Sequence, residues 1–439
     1  NLDLRHRDPP DARVFAAGFP APSNPVSEAS VSMSEHKVFS SDFNGLSAAQ
    51  PTLPYRYYLD EGQFQRELDS IWSRNWIYLC RAESLGASGD YRVFDIGGRE
   101  IIVLRDDEDR LGAFHNSCRH RGSTLCQDDA GCFKRGHIIC PYHSWMYDLQ
   151  GRLQATGTAR PVPGFEREQH ALSRVALAEW GGFVFVNLDG AARKPFEQAL
   201  AEELAPLANW PLAELRVGHR FSKTLDCNWK LFWENFNECL HCPKVHPGLC
   251  QLVPIYRRGI MVRNDDPDWR ERADEAKYNG RLRDGAETWS PDGKALSETF
   301  AGLTEAERQR GHTYAVALPS LFIVGHVDYV RSVQITPLGA ERMRIDAEWL
   351  LLPEVLDSPG LDLPGLAAFA EQVMREDGEI CEINQRGLRS SADEHGILMQ
   401  EEYEVFAFQE WIRRELGETP LAEARTSRAS RRRETAAQG

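Results

Sequence analysis

The chain has 439 residues, 42% of them hydrophobic, which is enough for two domains that each bury a core. Its net charge of −15 argues against a nucleic-acid partner, and no run of about 18 or more apolar residues is present that could span a membrane. The first residues lack the basic, apolar and small-residue order of a secretory signal. Several of the ten cysteines lie beside histidines, which is typical of metal binding in a reducing cytoplasm rather than of a disulfide scaffold. We therefore expect a cytoplasmic protein.

The first part of the chain is predicted to be an arm followed by a helical segment. Residues 1–50 are rich in Ser, Ala and Pro without a sustained period, which predicts a poorly ordered arm. Residues 55–86 are expected to pack on the larger, second domain. Within them, apolar side chains at helical spacing predict an amphipathic helix over 61–76. These side chains are Phe64, Leu68, Ile71 and Trp72.

Residues 87–190 are predicted to form a small antiparallel β domain. Short runs of β-branched and aromatic residues alternate there with Gly and Asp clusters, as in strands joined by turns. The predicted strands are 91–96, 100–105, 112–115, 145–148, 152–154 and 182–187.

Residues 195–425 are predicted to form a larger domain in which helices cover an antiparallel sheet, and the Arg-rich tail at 426–439 is expected to be disordered. The fold class is therefore α+β. The predicted helical stretches of this domain are 195–216, 228–240, 363–388 and 401–416. Its predicted strands are 219–224, 314–318, 320–324, 329–336 and 342–352.

Two short cysteine and histidine motifs lie in loops of the β domain. Cys118 and His120 are separated by one residue, and Cys140 and His143 by two. Two thiolates and two imidazoles can close a structural zinc site, or they can hold a [2Fe–2S] cluster with Cys₂ on one iron and His₂ on the other. Structural zinc sites usually end in a pair of histidines rather than in C-x₂-H, so the spacing favours the cluster.

A second pair of histidines, His241 and His246, follows the predicted helix at 228–240. Pro243 lies between them and is expected to break that helix, so that His246 can turn back toward a metal that His241 reaches from the helix. Two imidazoles and one carboxylate form the facial triad of O₂-activating iron sites. The acidic stretch that begins at residue 376 offers candidates for the carboxylate. They are Glu376, Asp377, Glu379 and Glu382.

The motifs C-x-H and C-P-Y-H-S-W resemble the cluster-binding motif of the α (large) subunit of Rieske non-haem iron oxygenases. The resemblance implies that Cys118 and Cys140 bind one iron of a [2Fe–2S] cluster and that His120 and His143 bind the other. It also implies a helix-grip (START-like) catalytic domain, with a mononuclear Fe(II) bound by His241, His246 and a distant carboxylate.

The segment E-D-x₃-C-E-x₂-Q-R-G-L at 376–388 resembles the family segment whose Asp binds this iron, which implies Asp377 as the ligand. The other acids of the segment are then expected to be solvated helix charges. In the family, the position of Glu238 is an acid that bonds the iron-binding His241 and, across a subunit boundary, a cluster histidine, here His143. The resemblance thus implies that Glu238 carries electrons between subunits of a head-to-tail trimer. Glu238 lies three residues before His241, which on a helix is the same face.

The resemblance further implies a partner reductase with flavin and a [2Fe–2S] cluster that uses NAD(P)H, because this chain has no G-x-G-x-x-G fingerprint. Glu238 within E-C-x-H-C-P-x₂-H is similar to the branch that oxidises carnitine, glycine betaine and stachydrine. Leu240 is a departure, because those relatives usually carry Tyr there. Aromatic candidates for the walls of a cation pocket are Trp233, Phe236, Tyr314, Phe322, Tyr329, Phe406 and Phe408.

The leading hypothesis is hydroxylation of an N-methyl carbon of a betaine-like substrate, followed by loss of formaldehyde. Dihydroxylation of an aromatic ring is an alternative. A Rieske electron carrier without catalysis is a third hypothesis, against which the second histidine pair argues, because a carrier needs no second iron.

Overall fold

The computed structural model describes residues 43–189, 194–268, 270 and 280–421. The predicted tail at 426–439 and most of the predicted arm at 1–50 lie outside the described residues. The last part of that arm, residues 43–50, is ordered, so the prediction is wrong there. Leu46 is buried, and its backbone N–H donates to the carbonyl of Gln400 at 2.9 Å. Its apolar partners come from the far end of the chain, which local composition does not reveal: Leu398, Val405 and Phe406.

The amino-terminal segment is helical and then becomes a strand. Its elements are β1 (Gln50–Pro51), α1 (Arg56–Leu59), α2 (Glu61–Glu67), a π-helical turn (Leu68–Trp72) and β2 (Ile77–Arg81). The helix predicted over 61–76 therefore ends at Trp72. Two polar side chains add hydrogen bonds to backbone carbonyls at this end, because Ser73 Oγ donates to Leu68 at 2.7 Å and Asn75 Nδ2 donates to Ile71 at 3.1 Å.

The β domain consists of short antiparallel strands, as predicted. They are β3 (Asp90–Ile96), β4 (Arg99–Arg105), β5 (Leu111–His115), β6 (Ala130–Cys132), β7 (His137–Ile139), β8 (Trp145–Asp148), β9 (Leu153–Thr156), β10 (Ala176–Trp180) and β11 (Phe183–Asn187). One sheet has the order β5-β4-β3-β6, a second β7-β8-β9 and a third β10-β11-β2. The first two sheets enclose a core that includes Ile102, Leu104, Phe114, Tyr147 and Leu153.

The second domain is built on a five-stranded antiparallel sheet of order β12-β16-β15-β14-β13. Its strands are β12 (Arg216–Leu225), β13 (His312–Ala317), β14 (Leu321–His326), β15 (Val330–Gly339) and β16 (Arg342–Leu351). Its helices are α3 (Phe196–Leu204), α4 (Trp229–Phe236), α5 (Cys242–Val245), α6 (Pro247–Leu252), α7 (Glu305–Arg310), α8 (Pro353–Leu356), α9 (Leu363–Ser390) and α10 (Tyr403–Glu415), and a last short strand, β17 (Ile397–Leu398), pairs with β1. The predicted α+β class is confirmed. None of the described helices combines the length and apolar content needed to cross a membrane.

The two faces of this sheet pack against different partners, because side chains alternate along each strand. Phe322, Val324 and Trp349 lie on the face that shares a core with α4 and α9. Ile323 and Leu350 lie on the opposite face and share a core with β2, β11 and α3. The face covered by α4 and α9 therefore lies next to the helix that precedes the second histidine pair and the helix that carries Asp377.

A buried ion pair fixes the amino-terminal segment to the second domain. Lys230 Nζ donates to both oxygens of Glu67 at 2.7 and 2.8 Å, and both side chains are fully buried. Trp229 Nε1 donates to the same carboxylate at 2.9 Å. Removing one partner of such a pair costs about 3–5 kcal/mol, because the other charge remains buried. These contacts fix the start of α4 to the amino-terminal segment.

Candidate metal centres

The two cysteine and histidine motifs of the β domain lie next to each other. Cys118 and His120 follow β5, and Cys140 and His143 lie in the turn between β7 and β8. Both cysteines are buried, whereas His120 is exposed and His143 is half-buried. The centroids of the two imidazole rings are 4.7 Å apart. Two sulfur donors on the inner side and two nitrogen donors on the outer side fit a cluster with Cys₂ on one iron and His₂ on the other.

The two cysteines differ in how readily they ionise, because burial raises the pKa of the Cys118 thiol whereas backbone N–H groups lower the pKa of the Cys140 thiol. Gly122, with a φ of +77°, turns the first loop so that its N–H donates to the carbonyl of Cys118 at 2.9 Å. In the second loop, burial by itself raises the pKa of the Cys140 thiol, but the backbone N–H groups of Tyr142 and His143 outweigh burial and lower this pKa below its ordinary value. The thiolate is the form that binds iron.

Two aromatic residues after the second motif support the site. The Tyr147 hydroxyl lies 3.3 Å from Cys118 Sγ and accepts a hydrogen bond from the backbone N–H of Arg119 at 3.1 Å, which leaves its proton for the sulfur. The Trp145 ring is stacked on His120, with centroids 4.8 Å apart and planes 7° apart. The pattern C-P-Y-H-S-W-M-Y contains both residues, but sequence reasoning gave them no function.

The structure brings His241, His246 and Asp377 together in the second domain. One ligand atom of each residue lies within 4.8 Å of the other two. Asp377 Oδ1 is 2.8 Å from Nε2 of His246 and 3.4 Å from Nε2 of His241, and it also accepts a hydrogen bond from Asn235 Nδ2 at 2.7 Å. Two imidazole nitrogens and one carboxylate oxygen that face one point are the donor set of a mononuclear iron site.

The charges of this group favour a cation. Burial by itself raises the pKa of Asp377, but the hydrogen bonds and charges of His241 and His246 outweigh burial and hold this pKa well below its usual range. For His241 burial lowers the pKa, and the carboxylates of Asp377 and Glu238 outweigh it and raise the pKa to about 9. Each carboxylate thus stabilises positive charge at this point of the fold.

Each imidazole is held from behind by a further carboxylate. Glu238 Oε1 lies 2.6 Å from Nδ1 of His241, and Glu376 Oε2 lies 2.7 Å from Nδ1 of His246. An Nδ1–H that donates to a carboxylate leaves Nε2 as the lone-pair donor, and this is how metal-binding histidines are usually oriented. The two Nε2 atoms therefore face Asp377 as metal ligands would.

Glu376 was a rival of Asp377 for the iron, and the expectation that it is instead a solvated helix charge is wrong. Its side chain is directed to His246, which is only 1% exposed. Glu382 also has a protein partner, since it accepts from the backbone N–H of Asp226 at 3.1 Å. Glu379 is exposed, as expected. The sequence signal that could have identified Glu376 is its position directly before Asp377, the predicted iron ligand.

The backbone around the histidines differs from the prediction. The helix predicted over 228–240 ends at Phe236, because Asn237 and Cys239 have low helix propensity and the Glu238 side chain accepts backbone N–H groups of a turn. His241 therefore lies in a loop rather than on that helix. Pro243 lies in the first turn of α5, where it starts a short helix instead of breaking one, and His246 separates α5 from α6.

Glu238 lies in the same loop, so its predicted place on a helical face shared with His241 is wrong. Its contact with His241 arises from a tight turn, in which Glu238 Oε2 accepts hydrogen bonds from the backbone N–H groups of Leu240 and, at 3.3 Å, His241. Cys239 and Cys242 form a disulfide across this turn, with Cα atoms 5.0 Å apart. The expectation that cysteines beside histidines are thiols for metal binding is therefore wrong for this pair.

Some of the aromatic candidates surround the end of α4. Phe236 is stacked on Phe322 with centroids 4.3 Å apart, and Tyr314 meets the edge of Phe236 at 5.8 Å. Phe406 does not belong to this group, because it packs with Leu46 in a separate cluster. The aromatic faces near the second metal site are thus those of Phe236, Phe322 and Tyr314.

Two family models match this chain. The Rieske [2Fe-2S] domain matches residues 75–166, and the ring hydroxylating alpha subunit (catalytic domain) matches residues 212–418. The chain belongs to the Rieske-type non-haem iron oxygenases. The Rieske domain of such an oxygenase binds a [2Fe–2S] cluster and the catalytic domain binds a mononuclear iron, so both predicted cofactors are confirmed and the zinc alternative is excluded.

Relatives of this oxygenase are named for quaternary ammonium compounds. The glycine betaine monooxygenase oxygenase subunit of Chromohalobacter salexigens is 29% identical over 385 residues, which are 82% of this chain and 84% of the relative. The carnitine monooxygenase oxygenase subunit of Escherichia coli is 32% identical over 207 residues, which are 47% of this chain and 55% of the relative. A crystal structure of the quaternary ammonium Rieske monooxygenase CntA with L-carnitine superposes with a TM-score of 0.61 at 22% identity, over 84% of this chain and 96% of that one, which shows a shared fold.

Proposed function

We propose that this oxygenase hydroxylates an N-methyl carbon of a betaine-like quaternary ammonium substrate, with electrons from a partner reductase that uses NAD(P)H. Iron bound by two histidines and one carboxylate keeps positions open at which O₂ is activated. The residues that would hold the cluster are Cys118, His120, Cys140 and His143, and those that would hold the mononuclear iron are His241, His246 and Asp377.

The observation that carries the proposal is the double support of the second histidine pair. Glu238 and Glu376 each accept from one Nδ1, so that both Nε2 atoms converge on Asp377. An electron carrier requires only the cluster. A second donor set, with each imidazole fixed in orientation, supports catalysis at a second metal.

Two features favour a cationic substrate over an aromatic one. The first is the similarity to subunits named for glycine betaine and carnitine oxidation. The second is the group of Phe236, Phe322 and Tyr314 at the end of α4, because aromatic rings suit a trimethylammonium group. Tyr314 is close enough to Asp377 to be influenced by its charge.

The proposed reaction consumes one O₂, two electrons and two protons. A C–H bond of one N-methyl group becomes C–OH, and the second oxygen atom leaves as water. The N-hydroxymethyl product then loses formaldehyde and a proton, so that the quaternary ammonium becomes a tertiary amine. The chain's own residues bind and orient the substrate, and the apolar walls exclude water from the reacting carbon.

A substrate panel tests this proposal. The purified oxygenase is combined with a flavin reductase and NADH, and formaldehyde, O₂ uptake and NADH oxidation are measured with glycine betaine, carnitine, stachydrine, choline and a set of aromatic acids. We expect formaldehyde in a one-to-one ratio to O₂ with a quaternary ammonium compound and none with D377A. Formation of a cis-diol from an aromatic acid, with no formaldehyde from any quaternary ammonium compound, would refute the proposal in favour of ring dihydroxylation.

We further propose that Glu238 connects His241 with His143 of a neighbouring subunit in a head-to-tail trimer. The side chain of Glu238 is 15% exposed, and Oε1 keeps a free lone pair besides the contact with His241. Leu240, where relatives usually carry Tyr, is 42% exposed beside it. An apolar side chain at this edge of the site is suited to contact another subunit.

Two experiments test the bridge. E238Q should bind cluster and iron normally but reoxidise its reduced cluster roughly 10–100-fold more slowly in a single turnover, while E379Q, an exposed control, behaves as wild type. Mixed oligomers of C118S and D377A subunits, each inactive alone, should recover activity, because the cluster of one subunit then serves the iron of another. Normal reoxidation in E238Q, or inactive mixed oligomers, would overturn this role.

A further inference from the structure

Four buried side chains beside the second metal site carry polar atoms that have no hydrogen-bond partner within the described part of the chain. The atoms are Trp289 Nε1, His312 Nδ1, both ring nitrogens of His326, and Nε and Nη1 of Arg331. All four residues are at most 5% exposed. Nearly all buried polar atoms in proteins are paired, so several unpaired ones at one place indicate that a ligand or ordered water completes them.

These side chains surround a single ring. The guanidinium of Arg331 lies 5.5 Å from the centroid of the Trp289 indole. The rings of His312 and His326 lie 5.5 and 5.6 Å from the same indole. The unpaired atoms of Arg331, His312 and His326 therefore belong to side chains that all neighbour the Trp289 indole.

The group lies on the sheet face that α4 and α9 cover. Tyr314 pairs with Val324 and Val324 with Arg331, so these three residues form one row across β13, β14 and β15. His312 and His326 pair with each other two residues further along, on the same face. Tyr314 joins this row to Phe236, and the charge of Asp377 acts on both Tyr314 and Arg331. The group therefore adjoins the second metal site.

Arg331 supplies the positive charge of this group. Burial lowers the pKa of His312 to about 4 and that of His326 well below its usual range, so both imidazoles are neutral at pH 7. Arginine stays charged even when buried, and among the described residues no carboxylate lies within ion-pair distance of Arg331. A buried charge without a counter-ion is costly, and an anionic ligand would compensate it.

We propose that Arg331, Trp289 and His326 form a carboxylate subsite that selects zwitterionic betaines over quaternary amines without a carboxylate. This inference rests on the proposed function. The carboxylate would accept hydrogen bonds from the guanidinium, the indole N–H and the imidazole, while the trimethylammonium end lies toward Asp377 and the faces of Phe236 and Tyr314. The substrate class is thus a quaternary ammonium carboxylate, whose negative charge would be bound by Arg331 and whose positive charge would lie toward Asp377.

Binding without turnover tests the subsite. Affinities of the anaerobic, reduced holoenzyme for glycine betaine, carnitine, choline and tetramethylammonium are measured by calorimetry for wild type, R331Q, R331K and R344Q. Arg344 is the matched control, a 44% exposed arginine on the neighbouring strand β16. We expect R331Q to lose at least ten-fold in affinity for the two carboxylates and less than three-fold for the other two ligands, R331K to recover part of the loss, and R344Q to equal wild type.

Equal losses for all four ligands in R331Q, or no loss for the carboxylates, would overturn the subsite. R331M provides the same comparison if R331Q does not fold, as judged by the visible absorption of the cluster. Benzoate and an N-methylated aromatic acid are included as further ligands. If wild type binds only these aromatic carboxylates and R331Q weakens them, the proposed function fails while the subsite stands.

Discussion

Removal of the Glu376 carboxylate should weaken iron binding without changing any proposed ligand. Glu376 accepts from Nδ1 of His246 at 2.7 Å, and His246 is 1% exposed. In E376A the Nδ1–H loses the one acceptor that it has among the described residues, and the ring is no longer fixed with Nε2 toward Asp377. E376Q keeps a neutral acceptor at the same place but loses the negative charge.

The expected magnitude follows from this contact. Loss of a group that orients a metal-binding histidine typically lowers metal affinity about 10–100-fold, which corresponds to roughly 1.4–2.7 kcal/mol. The Glu376 side chain is 25% exposed, so water can replace part of its function and the lower half of this range applies. For E376Q, which retains a hydrogen bond, we expect a loss of about ten-fold or less.

The assay is competition for Fe(II) between the anaerobic, iron-depleted protein and a chromophoric chelator. E379A is the matched control, because Glu379 is exposed on the same helix. The visible absorption of the cluster and the thermal unfolding midpoint show that each variant is folded. If E376A and E379A bind Fe(II) equally well, Glu376 does not orient His246, and the argument from the double support of the histidines fails.

Two further predictions concern the cluster and the core. Y147F should lower the reduction potential of the cluster by roughly 40 mV. This is the one-electron equivalent of the about 1 kcal/mol by which a hydrogen bond to Cys118 Sγ stabilises the reduced state. An unchanged potential in a redox titration would show that the hydroxyl does not donate to the sulfur. Burial raises the pKa of Glu234 to about 7, so the folded protein binds the proton of this carboxyl more tightly than the unfolded protein does. The free energy of unfolding should therefore fall as pH rises from about 5 to 8. In E234Q that fall should be smaller by up to about 3 kcal/mol, and parallel pH profiles of the unfolding midpoint for both proteins would contradict the assignment.

Local patterns in the sequence were sufficient to predict the metal-binding motifs and most strands. Cys118 with His120 and Cys140 with His143 are each close in sequence and fall between runs that predict strands, so both pairs were expected in loops of the β domain, where they lie. Alternation of side chains likewise predicted the strands of the second sheet to within a few residues, because one face of each strand is buried.

Contacts between distant segments could not be predicted in this way. Glu376 meets His246 across 130 residues, and Arg331 meets Trp289 only after β15 is placed beside a long loop. The sequence around Arg331 held no signal for this contact, because β15 also carries Ser332, Gln334 and Thr336. The end of α4 was misplaced because helical spacing continues in the sequence beyond Phe236, while the turn around Glu238 is stabilised by side-chain to backbone bonds.

The two histidines of the second site are supported in different ways. Glu376 is on α9, one residue from Asp377, so His246 is held by the same rigid helix that carries the carboxylate. Glu238 is in a loop and is partly exposed, so the orientation of His241 depends on a turn at the surface. A neighbouring subunit that contacts this loop can therefore act on His241 without displacing the other two groups. We therefore expect Glu238 variants to affect mainly electron entry and Glu376 variants mainly metal retention.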